Sequence, residues 1–142
     1  MILANAAAWR EPLAAADAVR RPRPGKWSPL EYGCHVRDVL KLYDYRLGLM
    51  LTEDDPLYPN WDQDETAIAD RYDTQDPATV ADELGAAAEA IAAHFGSLSE
   101  AQWDRRGRRG DGAAFTVEAF ARYFIHDPIH HLHDVISPQT SP

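Results

Sequence analysis

Apolar residues recur at spacings of three and four along most of the chain, which is the pattern of helices that bury one face. Near the N-terminus such a stripe extends from Ile2 to about Val19 and predicts an amphipathic helix. Pro12 would kink this helix or mark a break near Arg10. The next segment, residues 20–27, contains two prolines and a glycine and predicts a loop.

The clearest helix start is the sequence SPLE. Ser28 can cap the helix, Pro29 suits its first position, and Glu31 completes a capping box. We expect this helix to run from Pro29 to about Thr52. Its apolar stripe consists mainly of Leu30, Cys34, Leu40, Tyr43, Leu47 and Met50.

Two further long helices are predicted downstream. Asp76 can cap a helix that has Pro77 in its first turn and ends at Gly96. Thr116 can cap the last helix, which we expect at about residues 117–136. Short helical turns are expected near residues 65–71 and 99–105, and irregular loops at residues 54–64 and 107–114.

Four substantial helices, with almost no strand signals, predict an all-α four-helix bundle with short extra helical turns in the connections. At 142 residues, with 45% hydrophobic and 26% charged residues, we expect one domain over residues 1–142. The net charge of −9 argues against nucleic acid or an anionic membrane as a partner. We expect neither a signal peptide nor a membrane span, and the single cysteine fits a reducing cytoplasm.

The stretch FIHDPIHHLHDV holds four of the six histidines. His126 and His130 are four residues apart, so on a helix they share one face and can converge on a transition metal. His133 lies near the same face, whereas His131 is rotated by about 100° from His130. A proton-relay site and a polar helix face are alternative interpretations.

A third metal ligand would have to come from another helix, and His35 and His94 are the candidates. His94 stands at a helix C-terminus, where a protonated histidine is favoured by the helix dipole. His35 has no such explanation and shares a polar strip with Glu31 and Asp38.

Pro128 lies between the two histidines that share a face. It would either kink the helix and aim His126 and His130 at one ion, or begin a new helix capped by Asp127.

These residues resemble a known family. GKWSPLEYGCHVRDV is similar to the second-helix motif of the DinB-like superfamily, and HDPIH is similar to its second metal motif. The resemblance extends over essentially the whole chain and implies a metal-binding four-helix bundle, with His35, His126 and His130 as ligands. The superfamily includes mycothiol- and bacillithiol-dependent transferases and maleylpyruvate isomerase. Two departures are Pro128 and the run from His131 to Asp134, where many relatives carry an Arg-Gly-Gln type of sequence.

Three imidazoles would leave an open position on a divalent ion for water or a thiol. Zinc or nickel is the expected metal, with iron or manganese as alternatives, and mycothiol or a similar thiol is a candidate co-substrate. His133 and Asp134 are the candidate catalytic residues. Glu31 and Asp38 are candidates for accepting the other N–H of a metal-bound imidazole.

Four arginines lie in the run DRRGRRGDG before the last helix, and three of them, Arg105, Arg108 and Arg109, are candidates for binding an anionic substrate or thiol. A solvated loop is the alternative. Trp27, Trp61 and Trp103 lie near loops and would line a pocket mouth or serve packing.

Two function classes follow. The first is a metal-dependent enzyme, either a thiol transferase or isomerase or a hydrolase that uses metal-bound water. The second is a non-catalytic, metal-binding or stress-related bundle. A small-molecule substrate and a homodimer are expected, the latter because the first helix is rich in alanine.

Overall fold

The computed structural model describes residues 2–109, 113–122 and 124, and it confirms the predicted four-helix bundle. The helices are α1 (Ile2–Ala8), α2 (Arg10–Ala14), α3 (Pro29–Thr52), α4 (Gln63–Ala69), α5 (Pro77–Gly96) and α6, described at residues 117–122 and 124. Two 3₁₀ turns, Tyr72–Thr74 and Glu100–Asp104, lie in the connections.

The capping box predicted for α3 is confirmed. The Ser28 hydroxyl accepts a hydrogen bond from the Glu31 amide at 3.1 Å, and the Glu31 carboxylate accepts one from the Ser28 amide at 3.1 Å. Pro29 occupies the first turn, where its missing N–H would have had no helical partner. Local chemistry therefore fixes where the longest helix begins.

The start of α5 and of α6 follows the same logic. The Asp76 carboxylate accepts a hydrogen bond from the Thr79 amide at 2.9 Å, and α5 ends at Gly96 as predicted. The Thr116 hydroxyl accepts one from the Ala119 amide at 3.2 Å, which confirms the predicted cap of the last helix. The predicted remainder of that helix lies outside the described residues.

The prediction that the first helical segment extends to about Val19 is wrong. The structure has two short helices with Trp9 between them, and the second ends at Ala14. Pro12 has no N–H to donate to the Ala8 carbonyl, so the helix breaks one turn before it. The break near Arg10 was an expected consequence of this proline and is confirmed.

The prediction that residues 107–114 are irregular is also wrong for residues 107–109 and 114, which lie in strands, whereas residues 110–112 lie outside the described residues. Strands β1 (Leu57–Tyr58), β2 (Arg106–Arg109) and β3 (Ala114–Thr116) form a small sheet in that order. β1 pairs parallel with β2, and β2 pairs antiparallel with β3. With two to four residues each, these strands are too short to show a period of two in the sequence. Backbone pairing between distant segments creates them.

Two hydrophobic clusters lie along α3. The first surrounds its N-terminal half and includes Trp9, Leu13, Leu40, Leu84, Ile91 and Phe124. The second surrounds its C-terminal half and includes Leu47, Met50, Tyr58, Val117 and Phe120.

The order of these contacts gives α6 its direction. Its first residue, Val117, packs in the second cluster, and Phe124 packs in the first. Tyr43 contacts both Phe120 and Phe124, with ring centroids at 5.0 and 5.1 Å. The described part of α6 therefore runs antiparallel to α3, towards the capped end. None of the helices in the described ranges is long and apolar enough to cross a membrane.

Candidate metal centre

His35 is the one predicted metal ligand within the described residues, and it is buried. It lies on α3, two turns after the cap, with 1% of its surface exposed. The capping box fixes the helix start, and the start fixes the direction in which His35 points. A buried imidazole at this position is consistent with the predicted ligand role.

Two tryptophans flank the His35 ring. The Trp61 indole stacks on it with centroids 5.6 Å apart and planes 14° apart, and the Trp27 indole lies at 5.5 Å in a tilted arrangement. Trp103 stacks instead on Phe95, at 5.9 Å. Trp27 and Trp61 are only partly exposed, so they form the aromatic walls around the imidazole. Their position beside loops was visible in the sequence, but their convergence on His35 was not.

Glu31 lies one turn before His35 and is 4% exposed. Its carboxylate receives two hydrogen bonds from the Arg21 guanidinium, at 2.6 and 2.8 Å, besides the Ser28 amide. Burial alone would raise the pKa of this carboxyl, but Arg21 and Ser28 outweigh it and the pKa lies below its ordinary value. Glu31 is thus held as a carboxylate at the start of α3, and its support of a metal ligand stays a prediction.

Asp38, on the same helix, belongs to a partly buried polar network. Its carboxylate accepts hydrogen bonds from the Tyr72 hydroxyl and from the Arg37 guanidinium, the latter at 3.0 Å. Arg37 also donates to Gln75 at 2.6 Å and to Glu83 at 3.0 Å. Burial, together with the bond to Asp38, raises the pKa of the Tyr72 phenol, which therefore stays a donor. This network joins α3 to the segment before α5 and to α5 itself, and its assignment to metal support stays a prediction.

The remaining predicted site residues, His126, His130, His133 and Asp134, lie outside the described residues. The question of Pro128 lies outside them too. Within the part of the chain that the structure describes, no three His, Cys, Asp or Glu side chains form a group that could hold a metal.

His94 has a partner of its own. Its Nδ1 lies 2.8 Å from a carboxylate oxygen of Asp44, so a hydrogen bond joins the end of α5 to the middle of α3. Together with its place in the last turn of α5, this contact accounts for His94 as a bridge between helices.

Of the three predicted anion-binding arginines, Arg108 and Arg109 lie in β2 and Arg105 immediately precedes it. Arg105 donates to the carbonyls of Met50 and Glu53, at 2.5 and 2.7 Å, and so satisfies the C-terminal end of α3. Arg108 pairs with the Asp55 carboxylate at 3.1 Å, and Arg109 lies over the Phe115 ring at 5.4 Å. Arg108 and Arg109 therefore lie in β2 and not in a loop, and binding of an anion by the three arginines stays a prediction.

Cys34 is buried next to His35 in sequence, but it faces the core. Burial raises the pKa of its thiol to about 12, against a smaller opposite effect of Arg37. A buried, protonated thiol is a poor nucleophile at neutral pH.

Comparison with solved structures shows a match to the fold over almost the whole chain. The chain matches the structure described as "YfiT from Bacillus subtilis is a probable metal-dependent hydrolase with an unusual four-helix bundle topology". The TM-score is 0.85, at 21% sequence identity, over 98% of this chain and 83% of that one. At this identity the match establishes the fold alone. No curated protein matches the chain in sequence.

Comparison with protein-family models gives the classification. The model of the DinB superfamily matches residues 3–135, which include both motifs on which the resemblance was based. The chain belongs to the DinB superfamily.

Proposed function

We propose that this protein is a divalent-metal-dependent enzyme whose metal is held by His35, His126 and His130. The observation that carries the proposal is the position of His35, which is buried between two indoles on the helix that α6 packs against. Membership of the DinB superfamily and the fold shared with a probable metal-dependent hydrolase support it.

The direction of α6 supports the same ligand set. His35 precedes Tyr43 by eight residues, which is about 12 Å along a helix. Phe120 and Phe124 lie opposite Tyr43, and α6 runs antiparallel to α3. The point of α6 opposite Tyr43 is about position 122, midway between Phe120 and Phe124. If the helix continues as the sequence predicts, the same eight residues counted from that point lead to His130 at the level of His35.

The donor set suits zinc or nickel, because neutral imidazole is a good ligand for both, with iron or manganese as alternatives. A bound divalent ion would supply a water of lowered pKa or hold a substrate thiol as thiolate. We propose His133 as the base and Asp134, four residues after His130, as the acceptor of the other N–H of that ligand, with Arg105, Arg108 and Arg109 receiving an anionic part of the substrate.

Metal analysis tests the centre. Protein purified without a histidine tag is incubated with Zn²⁺, Ni²⁺ or Mn²⁺, desalted and analysed for bound metal. We expect about one ion per chain in the wild type and a loss of it in His35→Ala and His130→Ala. His94→Ala is the matched control, because His94 bonds Asp44 and belongs to no proposed ligand set. Absence of stoichiometric metal from folded wild type rejects the proposal.

The enzyme version needs its own assay. Metal-loaded protein is tested with several low-molecular-weight thiols, mycothiol among them, and an electrophile such as monochlorobimane, and in parallel with ester and amide substrates. Turnover that requires both thiol and metal supports the transferase, whereas metal-dependent turnover without thiol supports the hydrolase. Stoichiometric metal with neither activity would favour a non-catalytic metal-binding bundle.

A further inference from the structure

Arg46 is a buried cation in the middle of α3. Only 5% of its surface is exposed, and burial lowers the pKa of its guanidinium. Among the residues that the structure describes, no carboxylate pairs with it, and its Nε has no hydrogen-bond partner. Burying a charge is costly unless other contacts stabilise it, so the described contacts of Arg46 compensate part of that cost.

Arg46 contacts the segment Tyr58–Pro59 and the ring of Tyr43 on its own helix. A terminal nitrogen donates to the Pro59 carbonyl at 2.9 Å. The guanidinium carbon lies 4.6 Å from the centroid of the Tyr58 ring and 5.8 Å from that of Tyr43. Both distances are within the range of a cation–π interaction. Arg46 therefore holds the end of β1 and the residue that follows it.

The segment held by Arg46 continues directly to the His35 site. Residues 58–61, here named the strap, begin with the Tyr58 ring on Arg46 and end with the Trp61 indole on His35. On α3, His35 and Arg46 are eleven positions apart, which is three helical turns plus about 20°. They share one face of α3 at a separation of about 16 Å. The strap thus spans one face of α3, fixed at one end by Arg46.

We propose that Arg46 is a positioning residue for the His35 site, acting through the strap to keep the Trp61 indole stacked on the imidazole. Fixing the strap limits the orientations that the His35 ring can adopt. The link to metal binding rests on the proposed function, whereas the link to the His35 ring does not.

An arginine suits this role better than other residues. Its planar guanidinium lies over the Tyr58 ring and donates in its plane to the Pro59 carbonyl, and the charge cannot be lost at physiological pH. A lysine at this position keeps the charge, but its compact ammonium group has no planar surface to lie over the Tyr58 ring. It would therefore hold the strap only in part. A methionine fills similar space and provides neither interaction.

The test is the ring-proton signal of His35 in ¹H–¹³C NMR spectra of the metal-free protein, assigned with His35→Gln. Ring currents of the stacked indole displace this signal, and Trp61→Leu defines its position when the stack is lost. We expect Arg46→Met to move the signal most of the way to the Trp61→Leu position, and Arg46→Lys to move it less. Tyr58→Leu, which removes the ring under the guanidinium, should move it in the same direction and serves if Arg46→Met does not fold.

Two controls separate positioning from general effects. Arg122→Met also removes one positive charge, from an exposed pair with Glu118, and should leave the signal in place. Asp76→Ala removes the side-chain cap of α5, whose hydrogen bond goes to the Thr79 amide, and it should lower stability without moving the signal. An unmoved His35 signal in folded Arg46→Met, or in folded Tyr58→Leu, overturns the inference.

Metal affinity gives the second readout. If the proposed metal centre exists, we expect Arg46→Met to weaken metal binding about tenfold or more, as with other residues that orient a ligand from outside the coordination sphere. Arg122→Met should bind as the wild type does. A displaced His35 signal in a protein whose wild type binds no metal would support the strap and reject the proposed function.

Discussion

Tyr72 illustrates how single residues stabilise the interior around α3. Its ring is fully buried, and its hydroxyl donates to the Asp38 carboxylate, which Arg37 also contacts. Removing the hydroxyl leaves the partly buried Asp38 carboxylate without one of its donors. This loss costs more free energy than removal of a hydroxyl that is exposed to water.

Tyr72→Phe is therefore expected to lower the free energy of unfolding by about 1–3 kcal/mol. Tyr45→Phe is the matched control, since Tyr45 is 64% exposed and its change should be near zero. Urea denaturation followed by circular dichroism measures both. Equal effects of the two substitutions would contradict the role of the buried hydrogen bond.

Glu31 gives a prediction about pH. Its pKa in the folded protein is lower than the value of about 4.3 expected for the unfolded chain. The Glu31 carboxylate therefore stabilises the folded protein fully at pH values above the unfolded-state pKa. This stabilisation is lost as the pH falls through the folded-state pKa. Glu31→Gln should lower stability at pH 7 and make the urea midpoint less dependent on pH below about pH 5. The exposed carboxylate variant Glu89→Gln should retain the wild-type acid dependence.

At the scale of elements, the small sheet depends on close contact between β2 and α3. A Cβ added at Gly107 would lie 2.7 Å from the Met50 Cγ and 3.1 Å from the Tyr58 ring. Both of these side chains are buried in the second cluster, so neither can move away freely. Glycine at this position is what allows the strand to lie against the helix.

Gly107→Ala is expected to lower the free energy of unfolding by about 1–3 kcal/mol through overpacking. Gly48→Ala is the contrasting variant, because a Cβ there meets no atom within 4 Å and the residue lies inside α3. It should raise stability by about 0.5–1 kcal/mol, since alanine loses less conformational entropy in a helix. Thermal unfolding of the pair tests both signs, and a stabilising Gly107→Ala would refute the contact.

At the scale of the whole molecule, the proposed metal would join the two ends of the chain. His35 lies on α3, the first long helix of the chain, and the other two proposed ligands lie more than ninety residues later. A ligand that binds only the folded state stabilises it in proportion to the logarithm of its concentration. Metal binding should therefore be visible in unfolding of the entire bundle.

Zinc at a hundred times its dissociation constant should raise the free energy of unfolding by about 2.7 kcal/mol. The increase should vanish in His35→Ala and persist in His94→Ala, and chelation should reverse it. Calorimetry with and without chelator measures the effect. Equal stabilisation of wild type and His35→Ala would indicate metal binding elsewhere on the protein.

The sequence alone determined the features that depend on neighbouring residues. Helix starts at Ser28 and Asp76, and the break before Pro12, follow from side-chain caps and from the missing proline N–H, which act within one turn. The bundle followed from the helical period of the apolar residues, and His35 was identified from its spacing to Glu31 and Asp38 and from the family motif.

Tertiary structure decided the features that join distant parts of the chain. The pairing of β1 with β2, the stacking of Trp61 on His35, and the Pro59 contact of Arg46 connect segments that local propensity cannot relate. Loop closure and packing choose such contacts from many alternatives of similar local energy, so no periodic signal records them. Helical spacing could therefore identify a buried histidine, and only the folded chain could supply the tryptophans and the arginine arranged around it.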